Sequence, residues 1–226
     1  MLQRSGRLRL KEWLEIVGKL FQQSRKTPSI GRLRIPSKKL PSASIRPFCE
    51  RDFEECCEIY RLNEPERFPD GYYQHFKDFI GKRRSLFLVA VLCDRVIGFG
   101  GVRLFPPPDD NQANLNFGMI HPEYQKMGYG SILLLTRLAI LPEPSPRIFA
   151  GLSPVKLSEN FYTRFGFRYN STYRDSFDNR STDLFCIALT VEDWKTCKLV
   201  LNDAGITINI DPAEIPRIAF EEPNGL

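Results

Sequence analysis

Histidine is nearly absent from this chain, with two in 226 residues, and the six cysteines form no C-x-x-C pair. Zinc sites draw on histidine and thiolate clusters at short, regular spacings, so no metal site is expected. Cys56 and Cys57 fall in an expected helix, and Cys93 and Cys186 lie in or beside apolar strands. Reduced cysteine there behaves as a small buried hydrophobe, which suits a reducing compartment. No stretch approaches the roughly 20 apolar residues needed to span a bilayer, and no secretory leader pattern is evident. These absences predict a cytoplasmic protein. No repeat recurs at periods of about 20 to 50 residues, which argues against a solenoid or propeller.

What is present supports one good core: 42% of residues are hydrophobic and 12% aromatic. The net charge of +5 is unevenly spread. Residues 1–43 hold eleven Lys/Arg against Glu12 and Glu15, so the remainder is mildly acidic. Within that segment Leu10, Trp13, Leu14, Val17, Leu20 and Phe21 recur at spacings of three and four, which predicts an amphipathic helix followed by a Pro- and Ser-rich linker. Residues 44–190 read as the main domain. Residues 191–226 read as an extension with a helix (VEDWKTCKLVLNDAG) and a short strand (ITINI).

The domain opens with a short strand at Ser44–Phe48, a helix over 51–62 and a second helix over about 71–82. The run LFLVAVL (86–92), a turn at Cys93-Asp94-Arg95 and VIGFGGVRL (96–104) predict an antiparallel hairpin. A strand over 113–120 leads into QKMGYG and a helix to Leu141. A strand over 147–152, a helix over 156–164 and strands at 167–169 and 183–190 complete the pattern. Hairpins first and strand–helix–strand later imply an α/β (α+β mixed) fold: a mixed, mostly antiparallel central sheet of about six to seven strands flanked by helices.

The junction at residues 115–141 carries the most chemical information. A helix start leaves backbone N–H groups without intrahelical partners and carries partial positive charge, so it suits an anionic phosphate. Gly128 and Gly130 keep side chains out of the way there. Gln125-Lys126-Met127-Gly128-Tyr129-Gly130 fits Q/R-x-x-G-x-G/A. Together with SIRPFCERDFEECCEIY, VIGFGGV, ANLNFGMIHPEYQKMGYGSILL and SENFYTRFGF, in that order, it makes residues 44–190 resemble the GNAT superfamily of N-acetyltransferases.

The resemblance implies acetyl-CoA as co-substrate, with no metal. Backbone groups of Gly118, Met119 and Ile120 would pair with the pantetheine arm as an added strand does. N–H groups of Gln125, Lys126, Met127, Gly128, Tyr129, Gly130 and Ser131 would hold the pyrophosphate. Lys126 adds charge or stays solvated; Gln125 bonds a phosphate oxygen or caps the following turn. His121, a lone histidine without a partner, reads as an ordinary surface residue.

Acetyl transfer needs a neutral amine, a stabiliser for the carbonyl oxygen and a proton for the departing thiolate; an amine with pKa near 10.4 must first lose a proton. By the resemblance Tyr162 is the general acid; otherwise it packs with Phe161, Phe165 and Phe167. Val155 and Ser158 replace the Asn and Ala that often precede this tyrosine in the family. Asn114 stands where many relatives carry glutamate; asparagine accepts no proton under ordinary conditions, which leaves it to orient a water. Glu64, Glu66 and Asp70 are base candidates by analogy, or solvated loop charges. The implied activity is transfer of acetyl from acetyl-CoA to a primary amine of a small molecule or protein by direct attack. The alternative is a catalytically weak CoA-binding regulatory or interaction module. The basic arm would contact an anionic surface or RNA, or dock on its own domain or on a partner in a homodimer.

Overall fold

Between residues 44 and 203 strands and helices follow one another in the expected order in the computed structural model, which describes residues 31–35, 40–63, 72–82, 85–105, 112–142, 147–152, 156–174, 181–206, 208 and 210–216. The strands are β1 (Gly31–Arg32), β2 (Ser44–Pro47), β3 (Leu86–Leu92), β4 (Arg95–Leu104), β5 (Gln112–Ile120), β6 (Arg147–Leu152), β7 (Arg168–Arg174) and β8 (Ser181–Ala188). The helices are α1 (Phe53–Asn63), α2 (Tyr72–Gly81), α3 (Tyr129–Ala139), α4 (Lys156–Arg164) and α5 (Val191–Asp203). The fold is therefore mixed α/β with mostly antiparallel strand pairing, and eight strands stand among the described residues where six or seven were expected. The basic arm, Glu64, Glu66 and Asp70 lie outside the described residues.

The chain divides into two compact units: residues 35–148 with 189–226, and residues 149–188 with the described part of 1–34. In the first, β2, β3, β4 and β5 form an antiparallel meander. The β3–β4 hairpin turns through Cys93 and Asp94 at φ +48° and +62°, as a two-residue connection matched to strand twist requires. Cys93 is exposed there, contrary to its expected burial, because it sits at the tip of the turn, beyond the last paired residues Leu92 and Arg95. One face of the meander meets α1 and α2. Cys56, Cys57, Ile59 and Tyr60 of α1 recur at the helical period and join Phe76, Phe79 and Ile80 of α2 over Phe87, Val89, Val96, Phe99 and Met119. Tyr60 stacks on Phe76 with centroids 4.6 Å apart. Asp52 anchors the start of α1: its carboxylate accepts from the Arg46 guanidinium at 2.6 and 2.7 Å and from the Cys49 N–H at 2.8 Å.

Helix α3 is buried on every side, through all residues from Ser131 to Ala139. Such a helix needs cover on two faces. Strands β3–β5 supply one and α5 the other. Helix α5 opens on a capping box in which Thr190 and Asp193 bond reciprocally at 2.9 and 3.1 Å. It then sends the Trp194 indole N–H to the Leu141 carbonyl at 3.1 Å and buries Cys197 and Leu201. The expected ITINI strand does not form at Ile206, Ile208 or Ile210, which take no strand pairing.

In the second unit β7 runs antiparallel to β8, and β1 pairs with β8 in parallel, Gly31 opposite Ile187. β1 falls in the expected linker; two residues joined by backbone hydrogen bonds leave no side-chain pattern to read. Helix α4 ends at a left-handed Gly166, φ +94°, with Gly166 N–H on the Thr163 carbonyl at 2.9 Å. The Phe165 carbonyl beside it accepts the Arg34 N–H at 2.9 Å.

Candidate functional site

The ladder between β4 and β5 breaks once. Phe99 faces Met119 and Gly101 faces Asn116, so Gly100 alone stands opposite Phe117 and Gly118. This bulge bends β5 away and leaves Gly118 exposed. Phe117 takes the strain, at φ +46°, a conformation that costs a bulky residue on the order of 1 kcal/mol. Its ring packs 5.2 Å from both Phe76 and Phe79, which holds it there.

Beyond the bulge the His121 N–H donates to the Ile97 carbonyl at 2.9 Å, which makes Gly98 and Ile120 a non-hydrogen-bonded pair. Met119 therefore spends its backbone groups on Phe99, while Ile120 turns its N–H and carbonyl away from β4. Two amides take the Ile120 carbonyl: Asn63 at 3.2 Å, from the end of α1, and Gln125 at 3.0 Å. Gln125 also donates to the Asn63 side-chain oxygen at 2.9 Å, and Asn63 donates to the Ile59 carbonyl at 2.8 Å. Helix α1, the end of β5 and the following loop are thereby locked to one another.

A 3-10 turn at Pro122–Tyr124 follows, capped by His121, whose Nδ1 accepts the Glu123 N–H at 3.3 Å. Lys126 at φ +62° and Gly128 at φ +104° then alternate with right-handed or extended neighbours and curl the backbone into α3. The first bonds of the helix run from Ser131 and Ile132 to the Gly128 carbonyl, at 2.9 and 3.2 Å. The N–H groups of Lys126, Met127, Gly128, Tyr129 and Gly130 have no backbone acceptor among the described residues. Successive free N–H groups at a helix start, on alternating backbone handedness, form a concave anion cradle.

Gln125 and Ser131 already have partners within the protein. Gln125 has its N–H on the Pro122 carbonyl at 3.2 Å and its side-chain amide on Ile120 and Asn63, so it positions the loop and leaves no donor for a phosphate. Ser131 is buried and its N–H is used, so the cradle runs over 126–130. Lys126 is exposed beside it. Among the described residues no three His, Cys, Asp or Glu side chains gather into a group that could hold a metal ion.

The acetyltransferase (GNAT) family model matches residues 53–167, just over half of the chain, and spans the bulge, the cradle and α3. The chain belongs to the GNAT acetyltransferase family. It is similar in fold to the PaiA N-acetyltransferase of Thermoplasma acidophilum, solved in complex with coenzyme A, at 20% identity and TM-score 0.54, over 65% of this chain and 99% of that one. The Escherichia coli ribosomal-protein-S18-alanine N-acetyltransferase is similar at 16% identity and TM-score 0.51, over 66% and 96%. A GNAT acetyltransferase from Desulfovibrio desulfuricans is similar at 15% identity and TM-score 0.54, over 65% and 99%. Comparison with curated proteins found no match.

Membership in the GNAT family makes the chain an acyltransferase whose family donor is acetyl-CoA. Asn114 is partly buried on β5, and its side-chain oxygen accepts the Asn116 amide at 3.0 Å. In the second unit Tyr162 is 9% exposed on α4, with ring centroids 5.2 Å from Phe161 and 5.1 Å from Phe167. Its hydroxyl makes no hydrogen bond among the described residues, so the ring is held by packing and the proton is uncommitted. Sequence reasoning missed Asn63, which has no local signal, and Arg137, a lone cation inside the apolar run of α3. No helix among the described residues is long and apolar enough to cross a membrane.

Proposed function

We propose that the chain moves an acetyl group from acetyl-CoA to a primary amine by direct attack of the amine on the thioester. The cradle at residues 126–130, whose N–H groups have no backbone acceptor among the described residues, carries this reading, because it offers donors to a diphosphate at the point where the family pattern expects one. Gly118 and Ile120 present outward backbone to the pantetheine arm, and Met119 supports them from within the ladder. As the new C–N bond forms and the C–S bond breaks, Tyr162 donates its hydroxyl proton to the thiolate, and the amine loses a proton to water. Asn114 orients that water through its amide; Glu64 and Glu66 are the remaining candidates for base. The acceptor is a small molecule or a protein. The same family model and the N-acetyltransferase neighbours support nitrogen as the attacking atom.

Thiol release from acetyl-CoA over a broad panel of amines and peptides tests the reading. Activity is expected, with Tyr162→Phe lowering kcat on the order of 100-fold and leaving the KM for acetyl-CoA within about twofold. Gly128→Ala should weaken coenzyme binding, since a Cβ at φ +104° is strained and would lie 2.8 Å from the Pro41 Cδ. Tight coenzyme binding with no thiol release from any amine would replace the transferase by a CoA-binding regulatory module.

A further inference from the structure

Arg137 lies on the inner side of α3 and is 2% exposed, the largest of the fully buried side chains. Its guanidinium rests on the two glycines that define the bulge. A Cβ on Gly118 would stand 2.8 Å from Nη2 and 3.2 Å from Nη1, and a Cβ on Gly100 would stand 3.0 Å from Cζ and Nη1. Two missing side chains, one on each strand of the bulge, make the space the cation fills. Of its five N–H donors only Nε is used among the described residues, on the Leu133 carbonyl at 3.3 Å within its own helix. Nη1 is sealed from solvent without a partner, and no acidic side chain among the described residues pairs with Arg137.

A buried cation without a counter-charge destabilises a fold, and an apolar side chain of similar volume would serve packing better. The charge does have one outlet. Gly118, directly against Nη2, is exposed, so the positive end of the guanidinium sits one backbone thickness beneath a surface open to ligand.

We propose that Arg137 is the positioning charge beneath the β4–β5 bulge that stabilises negative charge arising on the thioester oxygen during acyl transfer. This rests on the transferase reading and deepens it. In a water-poor interior a fixed cation acts over several ångströms, and because it is already unpaired it gives up no bond when the oxygen becomes negative. Gly118 and Ile120 bring the ligand to the bulge; Arg137 sets the potential there.

The test needs no knowledge of the acceptor. Calorimetry of the full chain compares S-carboxymethyl-CoA, which carries an anionic oxygen one methylene beyond the position of the thioester oxygen, with its neutral isostere S-acetonyl-CoA. Wild type should prefer the anion about tenfold. Arg137→Met should abolish that preference with unchanged affinity for CoA itself and no loss of thermal stability, and Arg137→Lys should restore part of it. Gly118→Ala, whose Cβ displaces Nη2, should reduce the preference while keeping the arginine, and it covers the case in which Arg137→Met does not fold. With an amine that turns over, Arg137→Met should lower kcat on the order of 100-fold and leave the KM for acetyl-CoA within about twofold. An anion preference that survives Arg137→Met, or is absent from wild type, assigns Arg137 to packing and overturns the proposal. If wild type binds no CoA derivative, the transferase reading falls and the inference with it.

Discussion

Asp52 shows how one side chain sets a local pH response. Burial raises its pKa, but the bonds from Arg46 and the Cys49 N–H outweigh that and leave it at about 2, against an ordinary value of 3.8. A depressed carboxylate pKa contributes stability that is fully present above the unfolded value and is lost as pH falls toward the folded one. The Asp52 contribution should therefore fade between about pH 4 and pH 2, and the shift corresponds to about 2 kcal/mol. Asp52→Asn should cost about 3 kcal/mol at neutral pH, because Arg46 then faces a neutral group, and should flatten that acid limb. Urea unfolding at a series of pH values checks both; an acid limb as steep as the wild type's would assign the response elsewhere. Asp52 was readable in the sequence only as a polar residue in the first turn of the helix expected over 51–62, since its partner Arg46 is fixed by the β2–α1 turn.

At the scale of elements, the end of β5 is placed by side chains that touch no ligand. Asn63 closes α1 onto the Ile120 carbonyl and accepts from Gln125, so one residue ties a helix, a strand and a loop. Asn63→Ala leaves the Ile59 and Ile120 carbonyls and the Gln125 amide short of partners, at about 1–3 kcal/mol. Coenzyme affinity should fall about tenfold as the cradle loosens, measured by calorimetry with CoA. Unchanged affinity would mean that Gly128 and the 3-10 turn hold the loop alone. The glycine pattern of that loop was legible because Gly128 is required by its own backbone angle. The direction of Gln125 was not, because a side chain facing phosphate and one facing Asn63 share the same sequence. Arg137 was equally hidden: only the pairing of Gly100 with the bulge shows what its guanidinium fills.

At the scale of the whole molecule, described residues on either side of 44–190 make contacts with residues inside it. α5 covers a helix that is buried on every side, so truncation after Leu189 should expose α3 and yield insoluble or non-cooperatively unfolding protein, followed by solubility and thermal melting. At the other end, β1 lies before the boundary expected near Ser44 and pairs with β8. A chain without residues 1–30 keeps β1 and is the reference for the comparison. Removing 1–43 takes β1 from β8 and the Arg34–Phe165 bond with it, about 2 kcal/mol and on the order of 5 °C. Equal melting temperatures for the two truncations would show that β1 contributes nothing. The shorter deletion is the sound one for asking whether the basic arm binds anionic vesicles or RNA.

The order of strands and helices, the hairpin and the glycine loop were determined by the sequence alone, because each depends on periodicity or on a backbone angle that neighbours impose. The tertiary structure decided the rest: which residue of Asn116-Phe117-Gly118 bulges, that Gln125 faces inward, that Gly31 and Arg32 form a strand, and that Arg137 is buried beneath Gly118. Those features arise between residues far apart in the chain, where bond register and the volume left by missing side chains, rather than local pattern, settle the outcome.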